Sequence, residues 1–205
     1  MIKVGDRLPE GTLRAKDDGG AMKEVPTGSV FAGRKVVLVG VPGAFTSTCH
    51  NAHIPQFVQN ASAIKAKGVD AIVVIAVNDH HVMKAWGQAL GGDGKIEFLA
   101  DGNGDFARAL GLDIDLTGAG LGTRVKRFSA LVEDGVVKTL NFEPDGSKTI
   151  VETGAQTTLG QLCPRVTEGA GGDQAPPAPV PLRGLNGAMP SRASWSARSL
   201  ASLPA

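Results

Sequence analysis

Lys35-Val-Val-Leu-Val-Gly-Val41-Pro42-Gly-Ala-Phe-Thr46-Ser-Thr-Cys49-His-Asn-Ala-His53-Ile-Pro55 joins an unbroken apolar run, a loop with proline and glycine, and the opening of a helix. The run at 35–41 has the composition of a central strand buried on both faces. Beyond the loop, Ile54, Phe57, Val58, Ala61 and Ile64 fall on one stripe at i, i+3, i+4, i+7 spacing, the mark of an amphipathic helix. Pro55 cannot lie undisturbed inside a helix that begins near Thr46, so the pattern predicts a kink or a fresh start there. Cys49 thereby stands past the carboxyl end of a strand, at the start of a helix. A thiol in that place meets unpaired backbone N–H groups and the positive end of the helix dipole, and both favour thiolate, the reactive form.

The same alternation continues outward. Residues 71–77 form a second apolar run, and Asn78-Asp79 offers an N-cap for a helix over 81–90. A third strand is predicted at 96–100, and a short helix at 105–110 that Gly111 ends. The runs 127–133 and 136–142 flank Asp134-Gly135, a two-residue hairpin signal, and a last helix covers 155–162. This order predicts an α/β fold: a mixed central sheet flanked by helices, with right-handed early crossovers. In such sheets the reactive site lies beyond the carboxyl end of a strand, which is where Cys49 falls.

Composition narrows the function classes. The 205 residues suffice for one domain with a sizeable core, and the formal net charge of +1 shows no basic excess for a nucleic-acid partner. Two cysteines are too few for a disulfide-stapled secreted fold, which points to a reducing compartment, the cytoplasm. Met-Ile-Lys-Val-Gly-Asp at the start carries no apolar core of a signal peptide, and no run approaches the ~18 apolar residues of a membrane span. The chain divides near residue 164. Residues 1–163 read as the globular domain and 164–205, rich in Pro, Gly, Ala, Ser and Arg, as a disordered tail. That tail carries a net +2 and leaves about −1 on the domain.

The neighbours of Cys49 indicate its chemistry. Pro42 stiffens the loop and shields the sulfur, and Gly43 allows close backbone approach. Thr46 lies three residues before Cys49, within reach of the thiolate or of an oxygen bound to it. Arg127, at the start of a predicted strand, supplies a permanent charge and a rigid fork of donors. It stabilises both the thiolate and the negative charge on a departing oxygen. A thiolate, a hydroxyl and a guanidinium without a general base suit attack on a hydroperoxide. The cysteine becomes a sulfenic acid, which a second thiol must reduce.

Those residues carry a family resemblance. Pro42-Gly-Ala-Phe-Thr46-Ser-Thr-Cys49 with His53-Ile-Pro55-Gln-Phe57 resembles the peroxiredoxins of the type II or type 5 group. The likeness extends through Val77-Asn-Asp79, Val82-Met-Lys-Ala-Trp86, Phe98-Leu-Ala-Asp101-Gly, Gly122-Thr-Arg124-Val-Lys-Arg127-Phe and Asn141-Phe-Glu-Pro-Asp-Gly146, and so over about 2–162. It implies a thioredoxin-like fold with an N-terminal extension, with Cys49 as peroxidatic cysteine supported by Pro42, Thr46 and Arg127. It also implies a homodimer, no bound cofactor, and an external thiol reductant such as glutathione with glutaredoxin, or thioredoxin.

Three departures stand out. Ser47 replaces the usual proline. Val74 fills the place of the plant-type resolving cysteine, and Val151 and Glu152 that of the animal type. The tail has no counterpart. Cys163, beside Pro164, is then the remaining candidate resolving thiol. It would need its Cα within about 7 Å of that of Cys49, which requires the last helix to fray. The bystander reading of Cys163 leaves recycling to the external thiol. The missing resolving thiols and the added tail also motivate another function class, a redox-responsive binding protein or holdase using Cys49 without efficient turnover.

Other constellations carry less. His50, His53, His80 and His81 lack a clustered carboxylate or cysteine set for a metal. A Cys–His hydrolase is disfavoured, because i, i+4 spacing aims His53 along the helix axis. His53 reads as a hydrogen-bonded shaping residue, Trp86 as core, Arg124 as a surface charge in preference to a second cation near the site, and Asp101-Gly-Asn-Gly104 as a turn rather than a phosphate cradle.

Overall fold

The computed structural model describes residues 1–17, 19–143 and 150–162. The expectations for Cys163 and for the tail 164–205 lie outside the described residues. The central apolar runs become β3 (Lys35–Gly40) and β4 (Ala71–Ala76), with β5 (Glu97–Ala100) beside them. They run parallel, and Val36–Gly40 pair in register with Ala71–Ile75. The predicted hairpin forms as β8 (Phe128–Glu133) and β9 (Val136–Phe142). Asp134 (φ 48°) and Gly135 (φ 75°) make its turn, both left-handed as a two-residue type I′ loop requires. An N-terminal hairpin, β1 (Thr12–Lys16) and β2 (Met22–Pro26), closes the other edge. Among the described residues this sheet runs β2-β1-β5-β4-β3-β8-β9, parallel in the middle and antiparallel at both sides.

The short α1 (Thr27–Phe31) follows β2, and α2 (Ile54–Ala66) and α3 (His80–Ala89) follow the first two parallel strands. After β5 come α4 (Asp105–Leu110), then β6 (Asp113–Asp115) and β7 (Thr123–Val125) as a separate two-stranded pair, and α5 (Ala155–Gln161) closes the described chain. Period-two alternation sorts the buried strand residues onto two faces. Val37, Val39, Ile72, Val74 and Ala76 meet Cys49, Ile54, Phe57, Met83 and Trp86. Val36, Leu38, Val73 and Ile75 meet Phe31, Phe106, Leu110 and Phe128 on the other. Both faces are therefore covered, which explains why β3 and β4 read as continuous apolar runs.

Local chemistry sets the element ends. The Asp79 carboxylate accepts the Val82 N–H at 2.9 Å and caps α3, as the sequence predicts. The buried Asp101 carboxylate accepts from Phe106 N–H (3.1 Å) and Ala107 N–H (2.8 Å), filling the start of α4. An anion is already in place there, which accords with a turn rather than a phosphate cradle. The disturbance predicted at Pro55 takes the form of a π-helical turn over Cys49–His53, in which the Ile54 N–H reaches back five residues to the Cys49 carbonyl. Pro55 then enters α2 in its first turn, where its missing N–H costs nothing.

Candidate active site

Cys49 is a free cysteine, 1% exposed, in the π-helical turn beyond the carboxyl end of β3. Gly40 ends that strand and pairs with Phe128, the first residue of β8. Arg127 immediately precedes Phe128, so the antiparallel register carries it to the level of the Cys49 loop. Its Nη2 donates to the Cys49 sulfur at 3.4 Å. Arg127 is itself only 9% exposed, a buried cation whose donors must find partners.

His53 supplies one. A guanidinium only donates, so the 2.9 Å contact from Arg127 Nη1 makes His53 Nδ1 the acceptor. The other ring nitrogen, Nε2, then carries the proton and donates to the Thr153 carbonyl at 2.9 Å. Desolvation by burial, aided by the Arg127 charge and opposed by the Thr153 hydrogen bond, pushes the His53 pKa down to about 4. The imidazole is neutral at physiological pH, so it shapes the guanidinium without competing with it as a second cation. Arg127 Nε is buried without a hydrogen-bond partner among the described residues.

The loop 42–46 is held from below. The Asn78 side-chain oxygen accepts from the Ala44 N–H at 2.9 Å and from Arg124 Nη1 at 3.4 Å. The same Arg124 nitrogen lies 3.4 Å from the Pro42 carbonyl, and Arg124 Nε donates to the Leu121 carbonyl at 2.7 Å. Arg124 is therefore a half-buried clamp on the loop, not the surface charge its sequence context suggested. A Cβ on Gly43 would come within 2.9 Å of Arg124 Nη1, so the close approach expected of this glycine is realised against the clamp. Thr46 donates its hydroxyl hydrogen to the Gly43 carbonyl at 2.8 Å, and its own carbonyl accepts the His50 N–H at 2.8 Å. Its hydroxyl thus braces the loop instead of donating to sulfur, while the oxygen lone pairs stay able to accept.

Trp86 is fully buried, as expected of core, and donates its Nε1–H to His50 Nδ1 at 3.0 Å. Phe45, half-exposed with φ 59°, stacks on His50 at a centroid distance of 5.6 Å. Among the described residues no group of three His, Cys, Asp or Glu is placed to hold a metal ion. No helix of the described residues is long and apolar enough to cross a membrane. Sequence reasoning placed Cys49, Pro42, Thr46 and Arg127 in one site; the fold brings Arg127 against Cys49, with Thr46 bonded to Gly43 and Pro42 in the loop that Arg124 clamps. It missed Asn78 and the clamping role of Arg124. The only sequence sign of these was their position next to the strand and hairpin ends that frame the loop.

A buried thiol facing a guanidinium, at the carboxyl end of a parallel strand in a mixed sheet, is the site of a thiol-based redox enzyme with a thioredoxin-like fold. The redoxin family model matches residues 3–159. A peroxiredoxin-2C of Oryza sativa subsp. japonica is 45% identical over 161 residues, 78% of this chain and 98% of the relative. A peroxiredoxin-2B of Arabidopsis thaliana is 44% identical, covering 73% of this chain and 92% of the relative. Among solved structures, the reduced Prx3 of Vibrio vulnificus in complex with hydrogen peroxide superposes with a TM-score of 0.74 at 45% identity, over 79% of this chain and 99% of that one. The chain belongs to the redoxin family and, within it, to the type II peroxiredoxins. It is an oxidoreductase with thiol-dependent peroxidase activity.

Proposed function

We propose that Cys49 is the peroxidatic cysteine, that Arg127, Thr46 and Pro42 support it, and that hydrogen peroxide and alkyl hydroperoxides are its substrates. The Cys49 thiolate attacks the terminal oxygen of ROOH. An S–O bond forms as the O–O bond breaks, sulfur gives up two electrons, and RO⁻ departs and takes a proton from water. The product is Cys49 sulfenic acid. Arg127 faces both ends of this event. Its Nη2 rests on the sulfur, and its unpartnered Nε–H offers a donor for oxygen charge as it develops. The 3.4 Å contact between Arg127 and the Cys49 sulfur is the observation that carries this reading. Proximity matters here because attack on oxygen needs the sulfur, the substrate oxygens and the guanidinium aligned at once.

An external thiol then attacks the sulfenic sulfur and releases water, and a second thiol clears the mixed disulfide. Glutathione with glutaredoxin, or thioredoxin, fits the role. By the family resemblance, the places of a resolving thiol fall at Val74, fully buried in β4, and near the exposed Val151 and Glu152, and none of these is a cysteine. Cys163 remains the internal candidate. We read 1–163 as the peroxidase domain, 164–205 as a tail outside it, and the assembly as a homodimer. The half-exposed Phe45 beside the active loop supports an apolar contact for a second copy. The cytoplasm, as a reducing compartment, accords with the two-cysteine composition.

Peroxide consumption measured with glutathione–glutaredoxin and with thioredoxin tests this reading. The expected result is turnover with at least one donor in the wild type and none in Cys49→Ser; turnover retained in that variant defeats it. A stoichiometric burst with no sustained turnover on any donor would instead favour the holdase reading. Mass spectrometry after one equivalent of peroxide separates sulfenic acid, a 49–163 disulfide and a glutathione adduct.

A further inference from the structure

The carboxylate of Glu143 lies just past the end of β9 and is 7% exposed. The chain from Val151 to Thr153 is wrapped around it. Its oxygens accept from Val151 N–H (3.1 and 3.2 Å), Glu152 N–H (3.4 Å), Thr153 N–H (2.9 Å) and the Thr153 hydroxyl (2.6 Å). Burial raises its pKa, but these donors together outweigh that and hold the carboxyl below its ordinary range. An acceptor that takes four donors from three successive residues fixes the path of that turn.

The turn has one product that points inward. The Thr153 carbonyl accepts from His53 Nε2, so this turn and the Arg127 contact at Nδ1 hold the same tautomer from the two sides of the ring. With the proton on Nε2, Nδ1 is an acceptor for Arg127 Nη1. With the carbonyl displaced, the Nε2–H loses its acceptor in a buried setting, and the ring is free to turn toward another and carry Nδ1 out of line with Arg127 Nη1. Arg127 would lose a partner in a buried setting and would regain the rotamer freedom to swing from the sulfur.

We propose that Glu143 is a positioning residue for the peroxidase reaction: by holding the 151–153 turn it fixes the Thr153 carbonyl, the His53 tautomer and, through both, the aim of Arg127 at Cys49. This rests on the assignment of Cys49 and Arg127 as the reacting pair. Glu143 acts through the chain of hydrogen bonds and touches neither substrate nor sulfur.

The test is a double-mutant cycle on the full chain, read as the second-order rate of Cys49 oxidation by hydrogen peroxide in a single turnover without reductant. Glu143→Gln keeps the shape but places an NH₂ donor among backbone donors. It is expected to slow oxidation about tenfold or more in the wild-type background, the scale of a misplaced catalytic group. In the Arg127→Gln background the same change is expected to cost less than about twofold, because no guanidinium is left to aim. Equal loss in both backgrounds would overturn the proposal, and so would no loss in the first. An unaltered rate in Arg127→Gln alone would overturn the active-site assignment along with it, so the two failures are distinguishable. The nitrogen-15 chemical shifts of the His53 ring in the wild type give a second reading that survives if Glu143→Gln does not fold. The Nε2-protonated tautomer is expected, and an Nδ1-protonated ring would overturn the proposal.

Discussion

In the proposed reaction Arg127 does two things at Cys49, and both follow from the permanent charge of a guanidinium. The guanidinium that donates to the sulfur faces the attacking atom and, in that reaction, meets negative charge on oxygen as it develops. Arg127→Gln keeps a donor but removes the charge. It is expected to slow both iodoacetamide alkylation of Cys49 at pH 7 and its oxidation by peroxide by roughly a hundredfold. Equal alkylation rates in the two proteins would exclude the electrostatic role. At Thr46 the question is different, because the hydroxyl hydrogen is spent on the Gly43 carbonyl. Thr46→Ser is expected to retain most of the peroxidase rate, whereas Thr46→Val leaves that carbonyl without its donor and loosens the loop. Steady-state kcat/KM for peroxide in the two variants decides this, and a fully active valine variant would remove Thr46 from the mechanism. The pairing of Cys49 with Arg127 was legible in the sequence because local context and family pattern both mark the two residues. Arg124 was not, since its partners Pro42 and Asn78 lie 82 and 46 residues away and meet it only when β3, β4 and the 121–124 segment converge.

Among the elements, those with a buried face wrote themselves into the pattern, and those without did not. β3, β4, α2 and the β8–β9 hairpin each bury a stripe or a full run, so periodicity and turn chemistry reveal them. The β1–β2 hairpin buries fully only Leu13, and β6 and β7 are three residues long, too short for any period to show. The N-terminal extension implied by resemblance corresponds to that hairpin with α1. One element junction is held by an absent side chain. Gly40, at the last position of β3, lies against the Phe128 ring, and a Cβ there would come within 2.1 Å of it. Phe128 is buried and adjoins Arg127, so the ring cannot yield without moving the site. Gly40→Ala is expected to destabilise the fold by about 1–3 kcal/mol or more, read as a fall in the urea midpoint at unchanged m, and to lower peroxidase activity as well. Unchanged stability would mean that β8 shifts freely, contrary to its fixed register with β3.

For the whole molecule, the network below the thiol makes stability depend on pH in a predictable direction. His53 is fully buried, and its pKa falls from 6.5 to about 4 on folding, chiefly through desolvation. Between those values the unfolded chain binds a proton at this position and the native protein does not. Stability therefore rises with pH through the window: it is fully present above about 6.5 and is lost as pH falls toward 4, by about 3 kcal/mol in all. Glu143 acts in the same direction lower down, since its carboxyl is held below the ordinary range and its contribution is lost as acid protonates it. The exposed carboxylates whose values are lowered, Asp79, Asp115 and Asp134, start from an ordinary value of 3.8, below the range from pH 6.5 to 4.5 in which the imidazole acts. Urea unfolding at half-unit steps is expected to show a slope of about 1 kcal/mol per pH unit there. In His53→Gln, where no group titrates at this position, that slope is expected to vanish. A slope that survives in the variant would show that the buried histidine is not the proton-linked group, and the neutral acceptor on which Arg127 depends would have to be sought elsewhere.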